Sequence, residues 1–171
     1  MHRDLLSLIF PRLFDHEQIK LFRASSVIFR SLSITKLTDT SKLTDKILNM
    51  KSVIDGRFLW ENLQILKVYN NLNVTILPPA LNDTLLELDA KGYSGIRDAS
   101  LTNLRKLEIL RVANNPNVTT LPPALNDTLL GLNAEGKSGI SDEAIASLTK
   151  LQILYVDNNP KVKRFQSFKN N

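Results

Sequence analysis

Catalysis and metal binding need nucleophiles, bases or ligands in fixed constellations, and this chain offers few of them. It has no cysteine and only two histidines, His2 and His16. That leaves no thiolate nucleophile, no disulfide and no thioester ligase chemistry, and too few histidines for an all-histidine metal site. Neither a P-loop nor a dinucleotide glycine motif occurs; the glycines of GYSGI and GKSGI mark turns ahead of helices. Serines and carboxylates are scattered without a triad-like or paired arrangement. The expectation is a non-enzyme without cofactor or metal. Four N-x-T triplets begin at Asn73, Asn82, Asn117 and Asn126. Glycans would require secretion, whereas recurrence of both triplets after 44 residues points to turn chemistry.

What chemistry remains is recognition by a surface. The net charge of +5 sits at the two ends. Residues 1–62 carry ten Lys/Arg against seven Asp/Glu, residues 152–171 four against one, and residues 63–150 eight against nine. A nucleic-acid binder concentrates its basic residues along one groove, so nucleic acid is not the expected partner. Hydrophobic content of 43% with 23% charged residues suits a soluble globular chain, and 171 residues suffice for one domain with a real core. The start, MHRDLLSLIF, carries Asp4 and is broken by Pro11, so it does not read as a signal peptide. No run approaches the ~20 apolar residues of a membrane span. An intracellular, cytoplasmic protein is expected.

The elements that would position a recognition surface follow from an internal repeat. The decapeptide LPPALNDTLL occurs at Leu77–Leu86 and again at Leu121–Leu130. Set Leu63–Lys106 above Leu107–Lys150 and 28 of 44 positions are identical. Each 44-residue block halves again, with similar units starting at Leu63, Leu85, Leu107, Leu129 and Leu151, 22 residues apart. LEILRVANN and LQILYVDNN follow the pattern L-x-x-L-x-L-x-x-N. The chain thereby resembles the leucine-rich repeat family over residues 63–165. That resemblance implies an α/β solenoid with a short parallel sheet on its concave face. FRSLSITKL, from Phe29, fits as a first strand.

In each short strand alternate residues point inward, so Leu110 and Val112 should fill the core while Ile109, Arg111 and Ala113 face out. Asn71, Asn115 and Asn159 should turn inward at the bend, with Tyr93 and Lys137 standing there in alternate units. LPPALNDT, with paired prolines, predicts an extended, non-helical return. SGIRDASLTNL and SGISDEAIASL predict helices capped by Ser or Asp, with Leu101/Leu104 and Ile145/Leu148 at helical spacing. Helical and non-helical returns should alternate.

Three outward columns follow. The first is Ile65, Glu87, Ile109, Gly131, Ile153; the second is Lys67, Asp89, Arg111, Asn133, Tyr155; the third is Tyr69, Lys91, Ala113, Glu135, Asp157. Lys67, Asp89 and Arg111 alternate in sign and could form a salt ladder. Ile109, Ile153 and Tyr155 around Gly131 form an apolar patch with a shallow floor, a candidate protein contact.

The head, residues 1–35, reads as two short helices separated by Pro11, the second capped by Asp15 with Gln18 completing a capping box. The apolar order from Leu5 to Phe29 resembles the F-box, a helical module that docks on the Skp-type adaptor of a cullin ubiquitin ligase. By that resemblance Leu5, Leu6, Ile9, Phe10, Leu13 and Ile19 would contact the adaptor. The alternative is an amphipathic cap over the first repeat, which every solenoid needs. Residues 36–62 suggest an irregular unit with a helix burying Leu43, Ile47 and Met50, and Trp60 aligns with Leu104 as a core residue. Phe165 and Phe168 are expected to cap the far end. The functional expectation is a protein-interaction module, either an F-box-like substrate adaptor or a structural component packing on neighbours.

Overall fold

A computed structural model describes residues 36–37, 40, 43–49 and 60–164. Leu66, Leu88, Leu110 and Leu132 are all fully buried or nearly so, each at the centre of a three-residue strand. Alternation about these leucines sets the architecture. Strands β1 (Lys36–Leu37), β2 (Ile65–Lys67), β3 (Glu87–Asp89), β4 (Ile109–Arg111), β5 (Gly131–Asn133) and β6 (Ile153–Tyr155) form one open parallel sheet in chain order. Ile65, Glu87, Ile109, Gly131 and Ile153 lie abreast, each 22 residues after the last. The 22-residue period read from the leucines is therefore the register of the sheet. Of the strand expected within FRSLSITKL, the described residues are Lys36–Leu37, and Leu37 pairs with Leu66.

Behind the sheet, short helices α1 (Asp45–Leu48), α2 (Asp98–Leu101) and α3 (Asp142–Ala146) alternate with the proline returns. Those returns differ from expectation: each holds a 3-10 turn, Pro79–Leu81 and Pro123–Leu125. The first proline of each pair is extended, with ψ 149°, and the second sits at the first helical position, where its missing N–H costs nothing. Leu81 N–H then donates to Pro78 O at 2.9 Å and Asn82 N–H to Pro79 O at 3.1 Å. Leu81 and Leu125 are thereby turned into the core.

One apolar core runs the length of the sheet. It takes in Trp60, which is fully buried as its alignment with Leu104 predicts, together with Leu101, Leu104, Ile145 and Leu148 from the helical returns. Leu43, two residues before α1, and Leu48, its last residue, are buried. The side chain of Ile47, Met50 and the capping phenylalanines Phe165 and Phe168 lie outside the described residues.

Candidate functional site

The bends that aim the outward columns are held by buried amides. Asn115 donates its Nδ2 to Ala90 O (2.9 Å) and Ile96 O (3.3 Å) in the preceding unit, and its Oδ1 accepts Asn117 N–H (3.0 Å). Asn159 repeats this on Ala134 O and Ile140 O, and Asn71 on Thr40 O and Leu43 O. In the alternate units Tyr93 and Lys137 are exposed, and the next residues, Ser94 and Ser138, are buried instead. Their hydroxyls accept Ile96 N–H and Ile140 N–H at 3.4 and 3.5 Å.

A second device lies one residue before each buried asparagine. Asn70, Asn114 and Asn158 adopt left-handed φ of 54–59°, and Gly92 and Gly136 do so at 67° and 62°. Asn70 and Asn114 accept the N–H of Tyr93 and Lys137 on Oδ1. Those oxygens occupy the space that a Cβ on the glycine would fill: it would lie 2.1 Å from Asn70 Oδ1 at Gly92 and 2.2 Å from Asn114 Oδ1 at Gly136. Asparagine and glycine interlock, which locks successive units in register.

A third device uses acids at helix starts. Ser or Asp is the expected cap of this helix, but Asp98 is its first residue, and its carboxylate accepts Thr119 N–H (2.7 Å), Thr119 Oγ1–H (2.7 Å) and Thr120 N–H (3.1 Å) of the following unit. Burial works to raise its pKa, and these bonds outweigh that and lower it. Asp45 holds Thr75 and Ile76 likewise, and Asp142 holds the N–H groups of Lys163 and Arg164. The N-x-T triplets are thus engaged: Thr75 and Thr119 by these clamps, Thr84 and Thr128 by bonds to Ala80 O and Ala124 O.

On this frame the outward face divides in two. Arg111 reaches past its register partner Asp89 to Glu87, Nη1 to Oε1 at 2.5 Å, while Asp89 is 5% exposed and pairs with Lys91 at 3.4 Å. The alternating column of Lys67, Asp89 and Arg111 therefore does not pair along itself in those two contacts. Diagonal reach across neighbouring strands serves Arg111 better, because it leaves Asp89 to the lysine two residues on. Lys67, Tyr69, Asp89, Lys91 and Ala113 line a shallow depression on this side. Tyr69 stands half-exposed over it, and Ile65 is half-buried lower on β2.

The other half carries a groove of about 340 Å³. Its floor is Gly131, its walls are Ile109 and Ile153, and Arg111, Asn133 and Tyr155 line one end, with Glu108 and Gln152 at the other. A Cβ on Gly131 would meet Ile109 at 3.8 and 3.9 Å, an ordinary contact, so the groove is the volume of a missing side chain. Ile153 and Tyr155 remain 53% and 51% exposed. Five expected contact residues (Ile109, Arg111, Asn133, Ile153 and Tyr155) are brought together here; the other five, Ile65, Lys67, Tyr69, Glu87 and Asp89, lie on the other side. Glu108 and Gln152 were not anticipated, because a residue just before a strand belongs to no column. Nothing in the pattern short of the groove itself marks them.

Among the described residues no three His, Asp or Glu stand close enough to hold a metal, and no helix is long and apolar enough to cross a membrane. Leu5, Leu6, Ile9, Phe10, Leu13 and Ile19 lie outside the described residues. No protein-family model matches the chain, and neither a curated protein nor a solved structure does.

Proposed function

We propose that the chain is a leucine-rich-repeat solenoid acting as a non-enzymatic protein-binding module, with the groove over Gly131 as its main contact. The groove carries this reading: two half-exposed apolar side chains and a tyrosine surround the one position of their column that lacks a side chain. Exposed apolar surface that remains concentrated on a rigid, hydrogen-bonded sheet is the kind that contributes binding energy when covered. The 22-residue strand register and the inward asparagines support the repeat assignment. Within this proposal the F-box-like head would join the module to a Skp-type adaptor, leaving the groove for a substrate.

Photo-crosslinking tests the contact surface. A benzophenone side chain replacing Tyr155 should form adducts with other polypeptides in cells, and Gly131→Leu should suppress them. The same group at Asn103, exposed on the opposite side, should form none. Equal crosslinking from both positions, or adducts indifferent to Gly131→Leu, would remove the groove from the account.

A further inference from the structure

The groove's shape and charge say more about what enters it. Strands in a sheet lie ~4.8 Å apart, so the backbones of β4 and β6 stand ~9.6 Å apart on either side of Gly131. With isoleucine walls projecting from both, the gap above the glycine admits one side chain. Its volume of about 340 Å³ is at the low end for small-molecule sites, and it lies open along the sheet face. Such a slot suits an anchor side chain on an extended segment rather than an enclosed ligand.

The charges around it are one-sided. Arg111 is drawn away to Glu87 on β3, so its charge is already compensated. Glu108 is exposed, lines the groove, and enters no ion pair among the described residues. Its own backbone carbonyl accepts Leu130 N–H (2.8 Å) and Gly131 N–H (2.9 Å), which fixes it beside the groove floor. Glu135 lies two residues beyond the end of β5, outside the groove lining, and the groove residue Asn133 donates its Nδ2 to Glu135 Oε2 at 2.8 Å. Lys106 and Lys150, two residues before Glu108 and Gln152, do not line the groove. Of the two charged residues that line the groove, Arg111 is paired and, among the described residues, Glu108 is not, and Glu135 adds a second carboxylate just past the end of β5, bonded to the groove's Asn133.

We infer that the occupant is an extended segment of a partner protein carrying one apolar side chain with lysine or arginine next to it. The inference rests on the protein-binding reading above. The apolar side chain fills the space over Gly131 between Ile109 and Ile153. Its basic neighbours face Glu108 and Glu135, which steer the segment and set its preference by charge.

Fluorescence anisotropy on the full chain with labelled nine-residue peptides tests this. The probes have a central leucine flanked by lysines, a central leucine flanked by glutamates, and a central alanine flanked by lysines. The lysine-flanked leucine peptide should bind at least tenfold more tightly than either other probe. Gly131→Leu should abolish its binding without lowering the melting temperature, and Glu108→Lys should reduce or reverse the charge preference. Equal binding of the lysine- and glutamate-flanked peptides, or none by any probe, overturns the inference. If the Tyr155 adducts nonetheless form and vanish in Gly131→Leu, the protein-binding reading survives and only the segment chemistry fails. A dimer in sedimentation that Gly131→Leu dissolves would assign the groove to a second copy and also overturn it.

Discussion

Replacing Asn115 by its isostere aspartate should harm the protein more at alkaline than at acid pH. The amide donates to two carbonyls, Ala90 O and Ile96 O, and accepts one N–H from Asn117, while fully buried. Asn115→Ala loses these three bonds at ~1 kcal/mol net each, so ~3 kcal/mol is expected. For a chain of this size that lowers the melting temperature by roughly 6–12 °C. Asn115→Asp keeps the acceptor but sets its second oxygen against two carbonyl oxygens. Burial and those dipoles raise the carboxyl pKa in the folded state above its unfolded value of ~3.9. Below that value the acid is protonated in both states and can still donate one bond. As pH rises toward the folded pKa the unfolded state alone ionises, and stability falls. Urea midpoints for the native protein, Asn115→Ala, Asn115→Asp and Lys137→Asp at pH 4.5 and pH 8 measure this. Relative to the native protein, Asn115→Asp should lose more at pH 8 and Lys137→Asp should lose little at either. An Asn115→Asp penalty independent of pH, or one matched by Lys137→Asp, would refute the bend argument.

Leu110→Ala should cost ~2–5 kcal/mol and Arg111→Ala no more than ~1, since the first empties the core and the second breaks a half-buried surface pair; equal denaturation midpoints would mean the sheet's faces are misassigned. Gly136→Ala should destabilise through its left-handed φ, ~1–2 kcal/mol, and through collision with Asn114 Oδ1. Asn114→Gly should recover part of that loss in a double-mutant cycle, and strict additivity would argue against the interlock. Asp98 has a lowered pKa, so its contribution is present above the ordinary 3.8 and lost as pH falls through the folded value. The stability gap between native protein and Asp98→Asn should therefore close in acid, and a gap constant from pH 7 to pH 3 would count against the clamp. Leu6→Ala with Ile9→Ala should abolish capture of a Skp-type adaptor by the full chain; an unmutated chain that captures none would leave the head as a cap.

The sheet was legible because its determinants are periodic. Leucine at every 22nd position fixes both the register and the buried face, and Trp60 could be placed simply by counting 44 residues back from Leu104. The groove was legible for the same reason: Gly131 is the gap in a column of larger residues. What the pattern concealed depends on reach and local angle. Arg111 is long enough to choose Glu87 over its register neighbour, and spacing alone cannot rank the two. Asp98 looks like a cap for its own helix, yet the free N–H groups of Thr119 and Thr120 compete for it from the next unit. The 3-10 turns were missed because paired prolines argue against an α-helix while leaving one tight turn open to the second of them. Asn114 and Gly136 each look like an ordinary turn residue, and only their contact shows that one fills the space the other lacks.

The proposed function requires a partner's side chain in the space over Gly131. The direct measurement is titration calorimetry of a polypeptide captured through position 155, against the native chain, Gly131→Leu and an Asn103→Leu control. A leucine on Gly131 projects into the groove from an unstrained strand position, so the fold should be kept and affinity should drop at least tenfold. Asn103→Leu, on the other surface, should leave affinity unchanged. Undiminished binding by a folded Gly131→Leu protein would show that the partner does not enter the groove.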